Sequence, residues 1–128
     1  MFLVNNISNV SIPAEGGLYW WYITKEGADK LGLSVDNCLY KNDSFLIYIG
    51  ISNNLKRRLK YHIKGNISNS SFRKTISKYL GQVNESQISE YLNEFFRVEF
   101  EVNPSYKTLE PLLIKEHNPP FNTQNIYK

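Results

Sequence analysis

Phe45-Leu46-Ile47-Tyr48-Ile49-Gly50-Ile51-Ser52-Asn53-Asn54-Leu55-Lys56-Arg57-Arg58-Leu59-Lys60-Tyr61-His62-Ile63 changes its hydrophobic period partway along. The first seven residues are a nearly unbroken run of Ile, Leu, Phe and Tyr, the composition of a buried β-strand. From Leu55 onward the apolar positions Leu55, Leu59 and Ile63 fall at four-residue spacing, the period of one helix face. Ser52 or Asn53 is placed to cap that helix, because a short polar side chain accepts hydrogen bonds from the first helical N–H groups. The stretch reads strand, turn, helix. The other helix faces are left to Lys56, Arg57, Arg58, Lys60, His62 and Lys64.

The same two periods recur on either side. Upstream, Pro13 and Gly16-Gly17 close a polar segment and open an aromatic, β-prone run from Leu18 to Thr24, the other central strand. A short amphipathic piece, Glu26 to Leu33, and a polar loop from Cys38 to Ser44 separate the two strands. Downstream, Gly65-Asn66 ends the basic helix. Phe72, Ile76, Tyr79 and Leu80 mark a helix from Ser71 to Leu80 that Gly81 stops, and Ser86 opens another through Ile88, Tyr91, Leu92 and Phe95. Arg97 to Val102 alternates charged and apolar residues, the pattern of a half-exposed edge strand. Proline is tolerated in the first turn of a helix, so Thr108 is expected as N-cap ahead of Glu110 and Pro111. Leu112, Leu113 and Ile114 would then pack inward, and Asn118-Pro119-Pro120 would end the helix. These elements make an α+β domain.

The 128 residues suit one domain, read as an N-terminal extension over 1–16 and a single domain over 17–128. An aromatic content of 14% argues against disorder. Cys38 is the only cysteine, which excludes an intrachain disulfide. The opening Met-Phe-Leu-Val-Asn-Asn lacks the basic region and apolar run of a secretory signal, so a cytoplasmic location is expected. No apolar run is long enough to cross a bilayer, and no membrane partner is expected. The net charge of +3 is unevenly spread. No acidic residue lies between Asp43 and Glu85, while Lys56, Arg57, Arg58, Lys60, Lys64, Arg73, Lys74 and Lys78 fall there. A local positive field of this kind suits a phosphate backbone through counterion release, with Lys64, Arg73 and Lys74 expected to touch nucleic acid. A solvated helix surface has the same signature.

Phosphodiester hydrolysis needs an activated water, neutralisation of charge on the phosphorus oxygens and help for the leaving oxygen. Glu110 offers a hard carboxylate oxygen of the kind Mg²⁺ accepts alone when waters and a phosphate fill its other positions. Arg58 can fork onto a phosphate oxygen, and His62 lies one helical turn further along the same face. Tyr19 and Tyr48 stand on the two central strands, where their hydroxyls could meet over the sheet. A phenol must be pulled below its ordinary pKa of about 10 to act as a base, which nearby cations do. Taken singly, each of these residues has an ordinary structural role: packing for the tyrosines, helix-end stabilisation for Glu110, a turn for Asn122.

Their order carries more. Gly17-Leu18-Tyr19, then Tyr48-Ile49-Gly50, Arg58 ten residues after Tyr48, His62, Glu110, and Asn122 within Pro119-Pro120-Phe121-Asn122 resemble the core of the GIY-YIG nuclease family, over about residues 17 to 122. The resemblance implies a small three-stranded antiparallel sheet flanked by helices that cuts nucleic acid, expected to be DNA, with one divalent metal, Mg²⁺ or Mn²⁺. It implies that Glu110 binds the metal, that Arg58 and His62 contact the scissile phosphate, that Tyr19 or Tyr48 handles the attacking water, and that Asn122 orients groups near the metal helix. Leu18 replaces the isoleucine of the first motif, and residues 25 to 44 read as an insertion. With Trp20, Trp21 and Tyr22 crowding one strand, a shifted register would put Tyr22 in the place of Tyr19. The competing reading is a catalytically silent nucleic-acid-binding module. Duplex, branched or RNA substrates and the oligomeric state are left open.

Overall fold

The computed structural model describes the backbone of residues 2–4, 11–64, 71–81 and 84–125, and their side chains except those of Leu3, 61–64, Ser71 and 123–125. In chain order the elements are β1 (Phe2–Leu3), β2 (Gly17–Ile23), α1 (Lys25–Leu31), β3 (Tyr40–Lys41), β4 (Ser44–Ser52) and α2 (Leu55–Lys64). There follow α3 (Ser71–Leu80), α4 (Glu85–Phe95), β5 (Phe96–Val102), α5 (Tyr106–His117) and α6 (Pro120–Asn125). The sheet runs β1-β5-β2-β4-β3, with every pair antiparallel. The three long strands β5, β2 and β4 are the expected ones, and a two-residue strand widens the sheet at each edge. Phe2 and Leu3 pair with Val98 and Arg97, so the edge expected at β5 is covered along its first half by the N-terminal segment.

β2 is buried on both faces, which is why it reads as a continuous aromatic run rather than an alternating one. Tyr19, Trp21 and Ile23 point into the larger core, shared with Leu31, Leu55, Leu59, Phe72, Ile88 and Phe96. Leu18 and Tyr22 point the other way and, with Leu46 and Ile49, meet Tyr106, Leu109, Leu113 and Ile114 of α5. Tyr22 is therefore on the opposite face from Tyr19, and its hydroxyl donates to Glu99 Oε1 at 2.5 Å. The pairing of β2 with β4 slips once: Trp21 faces Tyr48 but Tyr22 faces Leu46, leaving Ile47 as a β-bulge. The extra residue lets neighbouring Ile47 and Tyr48 both point into the larger core.

Two helix starts differ from expectation. Asn84, not the segment at Ser86, begins α4, through a reciprocal pair of bonds with Gln87. α5 begins at Tyr106 rather than after Thr108, which leaves Pro111 inside the helix. Asn103 drives the earlier start: its Oδ1 accepts from Ser105 N–H at 2.8 Å and its carbonyl from Tyr106 N–H at 3.3 Å, folding the chain into the first turn directly after β5. Pro111 is exposed, so the Lys107 carbonyl that loses its helical donor is on the solvent side. Leu112, expected inside, is 60% exposed because the face of α5 that packs on the sheet is Tyr106, Leu109, Leu113 and Ile114, and at 3.6 residues per turn Leu112 falls off that stripe. Among the described residues no helix is long and apolar enough to cross a membrane.

Candidate active site

Two glycines shape the floor. A Cβ at Gly17 would lie 2.8 Å from Leu55 Cδ1 and collide with the Glu101 carbonyl, so this position lets β5 and α2 close on the start of β2. Gly50 is the register partner of Tyr19. A Cβ there would come within 2.6 Å of Tyr19 Cε2 and closer still to Cζ and the hydroxyl oxygen. Gly50 thus opens the lane through which the Tyr19 ring crosses β4. At the end of that lane is Tyr48, its ring centroid 6.1 Å from that of Tyr19. The Tyr19 hydroxyl donates to Tyr48. Phe72 of α3 supports Tyr48 from below at 5.7 Å and itself packs on Trp21 at 4.6 Å.

Burial is the main force on both phenols. It holds Tyr19 well above the ordinary phenol range, an effect reinforced by Tyr48 and opposed by Arg58. Tyr48 is also pushed up by burial, but the hydrogen bond from Tyr19 pulls it back, Glu110 raises it and Arg58 lowers it. Arg58 and Glu110 therefore act on the same two hydroxyls, one from each side of the charge scale. Burial raises the Glu110 carboxyl. Among the described residues Glu110 makes no hydrogen bond or ion pair that would offset that desolvation.

Arg58 projects from an α2 whose N-terminus is saturated. Leu55 N–H donates to Glu15 O, Lys56 N–H to Pro13 O, and Arg57 N–H to Asn54 Oδ1 at 3.1 Å. Asn54, rather than Ser52 or Asn53, is the cap, and Ser52 Oγ accepts from its N–H. With the backbone donors taken, a phosphate at this helix would have to be met by side chains. Lys56, Arg57, Arg58 and Lys60 are all exposed. A family model for the GIY-YIG catalytic domain matches residues 17–128.

The chain belongs to the GIY-YIG family. No curated protein and no solved structure matches it. The family is one of nucleases, and the GIY-YIG fold here brings together Tyr19, Tyr48, Arg58 and Glu110, contributed by two strands and two helices far apart in sequence. The side chains of His62 and Lys64 lie outside the described residues; His62 is one turn beyond Arg58 on α2. Lys74 is exposed on α3.

Two of the residues singled out from the sequence stand elsewhere than expected. Arg73 is 1% exposed, with its Nε and Nη2 on Glu85 Oε1 at 3.2 and 3.1 Å, and Nη2 also on the Glu85 carbonyl and Ser89 Oγ at 3.0 Å. It locks α3 to α4 and is not part of an open phosphate-binding face. Asn122 is buried too, and its carboxamide is turned to the backbone of Ile49 rather than to the helix that carries Glu110. In the other direction, sequence reading gave Phe72 only a core role and did not place it under Tyr48. Its place in a helical apolar stripe is indistinguishable from any core position.

Proposed function

We propose that this GIY-YIG domain is an endonuclease that hydrolyses phosphodiester bonds in DNA with a divalent metal, Mg²⁺ or Mn²⁺. The observation that carries the reading is the convergence at one place of two hydrogen-bonded phenols, a guanidinium and a half-buried carboxylate that has no partner among the described residues. A half-buried carboxylate without a partner is a poor structural element and a good cation ligand. Among the described residues no three His, Cys, Asp or Glu side chains gather, so a metal at Glu110 would keep mostly water and phosphate ligands, as Mg²⁺ does. When bound, such an ion supplies positive charge to the phosphate and to the leaving oxygen.

The chain's own residues supply the rest. Tyr48 holds the attacking water: it retains solvent access and accepts the bond that Tyr19 donates, and since burial raises it above the ordinary phenol range it keeps its own proton and orients the water through its hydroxyl. Tyr19, 2% exposed, stays protonated and holds Tyr48 in place. Arg58 lowers both phenols and faces the charge that grows on the phosphate oxygens. His62 would meet the same phosphate from the next turn of α2. Lys56, Arg57, Lys60, Lys74 and Lys78, exposed on α2 and α3, would hold the flanking backbone.

The test incubates purified protein with linear duplex, single-stranded and branched DNA, and with RNA, in Mg²⁺, Mn²⁺ or EDTA. Metal-dependent cutting that Glu110→Gln abolishes supports the proposal. Binding without cutting in every metal would leave the silent module instead.

A further inference from the structure

Asn122 spends both ends of its carboxamide on a single residue. Oδ1 accepts from Ile49 N–H at 2.7 Å, and Nδ2 donates to Ile49 O at 2.8 Å. Ile49 lies between Tyr48 and Gly50, the two positions on which the Tyr19 lane depends. On one side β4 pairs with β2 throughout, whereas β3 on the other side reaches only Ser44 and Phe45. Asn122 therefore stands in for one residue of strand along the edge that β3 leaves open. A buried N–H and C=O there would otherwise lack partners.

The location matters because Ile47, two residues earlier, is the bulge. A bulge disrupts the ladder locally, and the side-chain period of a strand is two. Slipping the Tyr48 segment by one residue would turn Tyr48 toward α5 and away from Tyr19. The paired bonds at Ile49 hold the segment against that slip from the side β2 does not control. Phe121, next in the chain, is fully buried against Phe72 and Tyr79, which fixes the backbone that presents the carboxamide.

We infer that Asn122 is a positioning residue for Tyr48: its carboxamide clamps Ile49 so that the bulged strand keeps the Tyr48 hydroxyl facing Tyr19. Its effect on cleavage rests on the nuclease reading, while its effect on Tyr48 does not. The experiment follows the tyrosine ¹³Cζ resonances by NMR, with Tyr48→Phe assigning the Tyr48 signal. In Asn122→Ala the Tyr48 resonance and its titration midpoint move, while Tyr22 and Tyr91, hydrogen-bonded elsewhere, stay put. The protonated side chain of Asn122→Asp again offers one acceptor and one donor. This variant therefore shows the wild-type Tyr48 resonance at about pH 3 and loses it near neutral pH as the carboxyl ionises.

Single-turnover cleavage at saturating DNA falls roughly ten- to a hundredfold in Asn122→Ala. Ile88→Ala, a core variant in α4 rather than in β4 or α6, controls for stability loss and leaves rate and Tyr48 resonance unchanged. An unmoved Tyr48 resonance in folded Asn122→Ala, or the same movement in Ile88→Ala, overturns the inference. If Asn122→Ala does not fold, the pH response of Asn122→Asp decides it: no acid recovery of the Tyr48 resonance counts against the clamp. Wild-type protein that cuts no DNA would remove the nuclease reading, and the NMR results would settle the clamp alone.

Discussion

Replacing Gly50 by alanine adds one methyl group at the point where the fold has least room for it. Gly50 is not among the glycines with positive φ, so its backbone suits any residue and the penalty is purely steric. The new Cβ would sit 2.6 Å from Tyr19 Cε2, and reaching an ordinary contact of 3.4 Å moves the ring by about 0.8 Å, more at the hydroxyl end. Tyr19 is 2% exposed, so there is no vacant space to take up that movement. Overpacking of this kind costs about 1–3 kcal/mol of stability. A reacting group displaced by about 1 Å loses on the order of a hundredfold in rate. Differential scanning fluorimetry beside single-turnover cleavage reads the two effects separately. In a double-mutant cycle Tyr19→Phe and Gly50→Ala should be less than additive in rate, since both break the same hydrogen bond. A Gly50→Ala protein with wild-type melting temperature and wild-type rate would refute the lane.

Glu110→Gln should abolish metal-dependent cleavage and, because burial raises the carboxyl, should melt slightly higher than wild type in EDTA; added Mg²⁺ should raise the melting temperature of the wild type alone. Arg58→Lys should recover only part of the cleavage lost in Arg58→Ala, since an ammonium lacks the planar fork, and gel shifts should show nearly unchanged binding. Lys56→Glu, Lys60→Glu and Lys74→Glu together should weaken DNA binding and flatten its salt slope. Arg73→Ala should instead lower stability by roughly 2–3 kcal/mol through its lost charged hydrogen bonds while keeping the slope, which salt-dependent titrations and denaturant melts distinguish. Tyr19, Tyr22, Tyr48 and Tyr91 all hold their protons more tightly when folded than a free phenol does. Their contribution is therefore intact below pH ~10 and lost as pH rises beyond it, and melts across that range should show alkaline destabilisation that Tyr22→Phe reduces.

What the residues disclosed in advance follows from where information is local. The period change at Ser52 to Leu55 fixed a strand and a helix, and both are present. The starts of α4 and α5 were misplaced because Asn84 and Asn103 act through hydrogen bonds that composition does not reveal. The choice between Tyr19 and Tyr22 could not be made along β2, since the strand is buried on both faces. It is made by the register, which sets Tyr19 over Gly50 and turns Tyr22 to the opposite face. Arg73 looked like its exposed neighbour Lys74 because a basic run shows charge and not direction. Its partner Glu85 lies across a turn on the next helix.

The departures from local rules gather around the same few atoms. A glycine interrupts a central strand at Gly50, a bulge breaks the ladder at Ile47, and a proline sits next to Glu110 within α5. Glu110 itself is desolvated without an offsetting bond among the described residues. Each is mildly unfavourable by the rules that govern strands, helices and buried charge. The rest of the fold follows those rules closely, from the Thr24 and Asn84 caps to the Gly32 stop. Unrelated packing faults would have scattered through both cores. Their concentration at the tyrosine pair and at the helix that faces it is what a site shaped for chemistry requires, because a carboxylate already satisfied by the protein would have nothing left for a cation.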